Sequence, residues 1–249
     1  MDMKISGSGQ IPSGEYEKIK ISGSGHLHGF VRCSSFHSSG SSKGESIECA
    51  EEFHTSGSSK FEKDVRANSL NVSGSFHCGG NIMINEKISC SGSIRCDGNT
   101  KCSEFSSSGA FRSGGDIEAE KADISGKINC GGLLNAEEIT IKFDTGMEIG
   151  SIGGSKIVIY REPKSKSGIR LPLLSSLLRS SSASASVLVK NSIEGDTIAL
   201  ENVVSPRVSG RIVAIGEGCE IDLVQYIEQV EISPKAKVGK TEKLDVSSY

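Results

Sequence analysis

The chain has 249 residues, with 28 basic and 31 acidic side chains for a formal net charge of −3, and it contains no tryptophan. Glycine and serine fill 74 positions (30 Gly and 44 Ser), a level that marks disordered low-complexity sequence unless it carries a period. The charge balance gives no reason to expect nucleic acid as a partner, no apolar run nears the ~18 residues of a membrane span, and MDMKISGSG has no signal-peptide pattern.

A period is present. SGS-type segments place Gly7, Gly23, Gly40, Gly57, Gly74, Gly92, Gly109 and Gly126 at spacings of 16, 17, 17, 17, 18, 17 and 17 residues. A short unit repeated in one register, too small to bury a face alone, predicts a solenoid whose stacked turns create the core. Counted from these glycines, apolar residues fall in three pairs per turn. Phe76, Ile94, Phe111 and Ile128 lie in one column, Val31, Val65, Ile82 and Leu134 in a second, and Phe36, Phe53, Leu70 and Ile88 in a third. Within each pair the apolar residues alternate as a strand requires, and the pairs begin 6, 5 and 6 residues apart. The pattern predicts an all-β, triangular parallel β-helix of about 17 residues per turn. Its corners are expected at the SG glycines, where φ > 0 would come without cost, and at Gly29, Gly80, Gly98, Gly115 and Gly132. Ile47 and Cys49 read as slipped by one position. No proline lies between residues 13 and 162, as stacked strands require of their amides. The serine before each corner glycine, as in Ser56 and Ser73, is expected to bond turn backbone through its hydroxyl.

The repeats define an N-terminal solenoid over 1–161. Residues 162–186 are a Leu/Ser-rich insertion in which Leu173, Leu174, Leu177 and Leu178 have the spacing of a short amphipathic helix, beside Lys164, Lys166 and Arg170. Further solenoid turns are expected over 187–232, and a polar tail over 233–249.

The chemistry-bearing residues are mostly absorbed by the repeat. Six of the eight cysteines (Cys33, Cys78, Cys90, Cys96, Cys102 and Cys130) fall in inward columns, where a thiol acts as a small hydrophobe, and no CxxC pair suggests zinc. Cys78 and Cys96 share a column on adjacent turns, so a disulfide between them is geometrically open, with reduced packing the default. The histidines form no catalytic grouping. Hexapeptide acyltransferases also stack turns around a histidine, but they keep a strict six-residue unit that this chain breaks. No P-loop is present. Neither an enzymatic activity nor a cofactor or metal is expected.

Two surface features remain. His26, Lys43, Lys60, His77, Arg95 and Arg112 form an outward column of one charge sign. It reads either as a solvated stripe that deters edge association or as a contact for an anionic surface, lipid headgroups or an acidic partner. The ends of a β-helix expose unpaired strand edges. Ile5, Ile11, Ile19 and Ile21 at one end and Val230 and Ile232 at the other are the expected contacts for end-to-end stacking.

The SGS turns, LLNAEEI at Leu133 to Ile139, IEGD at Ile193 to Asp196 and IGEGCEI at Ile215 to Ile221 resemble the bactofilins, more narrowly the longer polymer-forming cytoskeletal proteins of Firmicutes. The resemblance spans nearly the whole chain. It implies a right-handed β-helix, a hand that parallel crossovers also favour. It further implies nucleotide-independent, non-polar filaments that serve as scaffolds for cell shape, motility or protein placement. The implied location is the cytoplasm, with membrane association as a further expectation. Implied partners are the chain itself, another bactofilin paralogue, the membrane surface, and morphogenesis or motility proteins. The chain departs from short bactofilins in its length, its Leu/Ser insertion and its lack of their hydrophobic N-terminal stretch. The competing expectation is a surface-exposed, adhesin-like β-solenoid.

Overall fold

Residues 1–161 and 186–245 are described by a computed structural model, which is a parallel β-solenoid of about 13 turns and 25 strands with no helix among the described residues. Each turn has three sides. The first side begins after the SG corner, as in Ser24–Leu27, Ser58–Phe61 and Ser75–Cys78. The second and third sides are often one bent strand, as in Phe30–Ser38 and Ile82–Cys90.

The expected columns are the observed registers. On the first side Phe76 pairs with Ile94 and Ile94 with Phe111. On the second, Ile47 lies between Val31 and Val65, and Cys49 between Cys33 and Ala67, so the one-residue slip is real. On the third, Phe36, Phe53, Leu70 and Ile88 stack in turn. Alternation along each strand buries every second side chain, and stacking carries that buried row from turn to turn as one core. Its densest part is aromatic: Phe53 lies 4.6 Å from Phe36, 5.6 Å from Phe61 and 5.2 Å from Phe76, ring centre to ring centre.

The corner glycines are required for a reason other than φ. None of the SG glycines has positive φ; the left-handed region is used at Gly29 (φ 66°) and Gly218 (φ 72°). A Cβ on Gly57 would instead sit 1.9 Å from the carbonyl oxygen of Gly40 on the turn before, and one on Gly74 2.0 Å from that of Gly57. Rung-to-rung backbone approach at this corner excludes any side chain. The neighbouring serines behave differently from expectation as well. Ser22, Ser39, Ser56 and Ser73 are exposed. Their backbone N–H groups bond the previous turn (Ser56 to Ser38 O, 2.9 Å), while their hydroxyls make no hydrogen bond among the described residues. The ladder itself satisfies the turn, leaving the hydroxyls to water.

The corner between the first and second sides carries a side-chain ladder that the repeat reading missed. Asp64 Oδ1 accepts from the Asn81 N–H, Asn81 Oδ1 from Asn99 N–H and Asn99 Oδ1 from Asp116 N–H, each at 2.9 Å, and Asp116 Oδ1 from Leu133 N–H at 2.8 Å. Each carboxamide or carboxylate bonds the turn after it, where regular strand pairing lapses. The same oxygens leave no room beside the corner: a Cβ on Gly115 or Gly132 would meet Asn99 or Asp116 Oδ1 at 2.0 Å. The signal was an Asn or Asp seven residues after four successive SG glycines, Gly57, Gly74, Gly92 and Gly109. Asn81→Ala is expected to cost about 1 kcal/mol and to speed hydrogen exchange at the Asn99 amide. Asn81→Asp, which keeps the acceptor, should leave that amide protected.

The ladder closes across the insertion. Met147 pairs with Val187 and Ile157 with Ile198, so strands on either side of residues 162–185 stack as consecutive rungs. The helix expected at Leu173 to Leu178, with Lys164, Lys166 and Arg170, lies outside the described residues. Beyond it the turns tighten, with Ile193 paired to Val208 and Ile198 to Val213. Gly195, from the IEGD segment, lets the second and third sides run on as one strand, since a Cβ there would meet Gly154 O at 2.2 Å. The stretch beginning at Ser233 is polar in composition, yet Lys237–Lys243 forms a further strand pairing in parallel with Glu220–Ile232. Stacked backbone amides supply that pairing whatever the outward side chains are.

Candidate assembly ends and basic face

The first rung consists of Met3–Ile5, Ser8–Ile11 and the start of Gly14–Ile21. Among the described residues no strand lies beyond it, so its outer backbone edge is unpaired. Ile5 stands at this end, 7% exposed, with Met3 partly buried beside it and Met1 80% exposed. Ile11 shares the first rung but points fully into the core. Ile19 and Ile21 do not face the end. They belong to the second rung, covered by Met3–Ile5 on one side and by Phe36 and Ser38 on the other.

At the opposite end, Lys237–Lys243 finishes the first and second sides. The third side ends one rung earlier, at the residues of Glu220–Ile232 that pair with 212–215. Val230 is half-buried there and Ile232 is 40% exposed, so the two apolar residues expected at this end do lie on a free edge among the described residues. Charge lines the rest of that end, with Lys237 paired to Glu220 at 2.7 Å and Lys240 paired to Glu242.

The six basic residues of the outward column stack in register. His26 pairs with Lys43, Lys43 with Lys60, Lys60 with His77, His77 with Arg95 and Arg95 with Arg112. The other two sides are built differently. On the second side Arg32 lies 3.3 Å from both Glu15 and Glu48, and Lys101 lies 2.7 Å from Glu118. On the third side Lys87, Glu104, Lys121, Glu138 and Lys156 follow one another in register, with Lys87 and Glu104 3.0 Å apart. Alternation turns rung stacking into attraction, whereas like charges directly opposite repel. The third side also stacks Lys4, Lys20, His37 and His54, but only the first side stacks six basic residues in succession before its column passes through Asn129 to Glu148.

Part of that charge is compensated from the corner. Asp97 accepts from His77 Nε2 at 3.0 Å and from Arg95 Nε at 2.8 Å, and these two contacts, His77 first, hold its carboxyl below the usual carboxylate range. His26 stacks flat on His28 with ring centres 4.4 Å apart. Lys43, Lys60 and Arg112 are exposed and make no ion pair among the described residues. The exposed serines Ser24, Ser58, Ser75 and Ser93, two residues before their cations, leave this face free of bulky groups.

All eight cysteines are buried free thiols, including Cys78 and Cys96. They are more than hydrophobic filler. Cys78 Sγ donates to Lys63 O at 3.2 Å, Cys96 Sγ to Gly80 O at 3.3 Å and Cys130 Sγ to Gly115 O at 3.4 Å. Ser113 fills the same column and donates to Gly98 O at 3.1 Å. A small donor at this position satisfies inward corner carbonyls that an aliphatic side chain would leave bare. Desolvation pushes the Cys102 thiol up to about 12 and that of Cys130 to about 11, which keeps both protonated. Cys33 and Cys49 sit with their sulfurs 3.4 Å apart.

No family model matches the chain, and no curated protein or solved structure does.

Proposed function

We propose that this protein is a self-assembling scaffold of the bactofilin type, lengthening without nucleotide by stacking of its solenoid ends. The observation that carries the reading is the bare first rung. Met3–Ile5 completes a continuous core, yet among the described residues nothing covers its backbone edge. An unpaired strand edge is a template for another strand, and a second solenoid end supplies three such strands at once. At the other end Val230 and Ile232 offer an apolar edge of the same kind on the third side. Assembly of this sort uses backbone pairing and apolar contact, and so needs no bound energy source.

Sedimentation and negative-stain microscopy of the purified chain test it. Filaments are expected for the unaltered protein. Ile5→Lys, or Ile232→Lys at the far end, should abolish them, because each places an unpaired charge in a contact that must exclude water. The residual species then reads polarity. Dimers mean that like ends meet, and monomers mean that unlike ends do. A unaltered chain that stays monomeric at high concentration would sink the proposal.

A further inference from the structure

We infer that two copies of this chain associate side by side, the basic first side of one seated on an acidic ridge of the other. The ridge is the corner between the second and third sides. In a three-sided solenoid that corner lies directly opposite the first side.

Glu17, Glu51, Glu86 and Glu120 occupy this corner on every second turn, with Ser34, Asn68 and Ser103 on the turns between. The registers place them. Glu17 falls opposite Ser34, between the pairs Tyr16 with Cys33 and Lys18 with Ser35. Ala50 and Glu51 together face Asn68 at a bulge, between Cys49 with Ala67 and Glu52 with Ser69. The Ser103 N–H donates to Glu86 O at 3.0 Å, and the Glu120 N–H to Ser103 O at 2.9 Å. Glu137 follows on the next turn. All five carboxylates are exposed, and none makes an ion pair among the described residues.

Unpaired charges of opposite sign therefore stand on opposite aspects of this half of the molecule, although Lys18 and Lys121, also without an ion pair among the described residues, adjoin Glu17 and Glu120, and Glu62 adjoins the basic side. Lys43, Lys60 and Arg112 stand on one aspect, and Glu51, Glu86 and Glu120 on the other. Their spacings also match. Both ride on the same ladder, with cations at multiples of ~4.8 Å and carboxylates at ~9.6 Å, so a second copy aligned along the axis meets them in step. Each copy has one basic face and one acidic ridge, so the contact is heterologous and repeats sideways. This contact does not depend on end stacking. With stacked ends it makes bundles or sheets of filaments, and without them it makes lateral clusters of single solenoids.

The test is a charge swap with complementation. K43E/K60E/R112E makes both surfaces acidic, and E51K/E86K/E120K makes both basic. Circular dichroism and unfolding midpoints matching the unaltered chain establish that each variant is folded, and Lys/Arg→Gln and Glu→Gln sets replace any that is not. Light scattering and microscopy of filament width are read between ~0.01 M and ~1 M salt, over which the Debye length falls from ~30 to ~3 Å. Lateral association of the unaltered chain should be present at low salt and lost at high salt. Three exposed pairs amount to roughly a tenfold change in the association constant, so each variant alone should fall by about that factor. An equimolar mixture of the two variants should regain it, since the acidified face of one then meets the basic ridge of the other. Width or scattering that ignores salt overturns the inference, as does a mixture that stays apart. Loss on reversing the face but not the ridge also overturns it, and binding of anionic vesicles by the unaltered chain and the ridge variant would then identify a lipid surface as the occupant.

Discussion

Gly57→Ala is expected to destabilise the solenoid by about 3 kcal/mol or more, at the upper end of what overpacking costs, while Gly7→Ala leaves stability within ~0.5 kcal/mol. Both glycines occupy the same repeat position. The Cβ of an alanine at 57 would lie 1.9 Å from Gly40 O and 2.7 Å from Ser39 O, whereas at 7 nothing lies within 4 Å. The obstructing atoms are backbone, held by their own ladder, so neither partner can turn aside. Gly7 is spared because, among the described residues, no turn stacks on the outer side of its corner. Urea unfolding of the two variants checks the contrast. Equal midpoints would show that the corner tolerates a methyl and that close stacking is not why glycine is there.

Phe53→Ala should cost about 3–5 kcal/mol, the range for emptying a buried aromatic site. Phe53 is fully buried and touches Phe36, Phe61 and Phe76, so its loss opens a cavity shared by three consecutive turns. In a solenoid the stability of a turn is largely its interfaces with two neighbours, and this residue serves both. Phe30→Ala provides the control. Phe30 is 48% exposed beside Arg32, and its removal should shift the midpoint little. A loss at Phe53 no larger than at Phe30 would mean that the aromatic column is not the central tie between these turns.

The columns of Phe, Ile and Val were legible because a strand exposes its period directly: every second side chain points inward, and stacking repeats that choice each turn. The slip at Ile47 and Cys49 could be read for the same reason, since a wrong register would have buried Glu48. What stayed hidden depended on contacts between turns. The Asp64, Asn81, Asn99 and Asp116 ladder is periodic in the chain, but a spacing does not say that an oxygen bonds the following rung. Cys78, Cys96 and Cys130 looked like small hydrophobes, and only the corner carbonyls beside them show why a donor is needed. The ends were half legible: Ile5, Val230 and Ile232 do lie there, whereas Ile19 and Ile21 sit one rung inside because Met3–Ile5 already forms a rung of its own.

A 17-residue register of glycine and alternating apolar residues is sufficient to dictate a three-sided parallel solenoid, because no other arrangement buries so short a unit on all three faces. Which atoms meet across the turns is not contained in the repeat. The contact at the SG corner, the continuation of the ladder past residues 162–185 and the opposition of a basic side to an acidic ridge all arise from coiling. Coiling brings together residues a full turn apart and sets others on opposite sides of a triangle, and neither relation is visible along the chain.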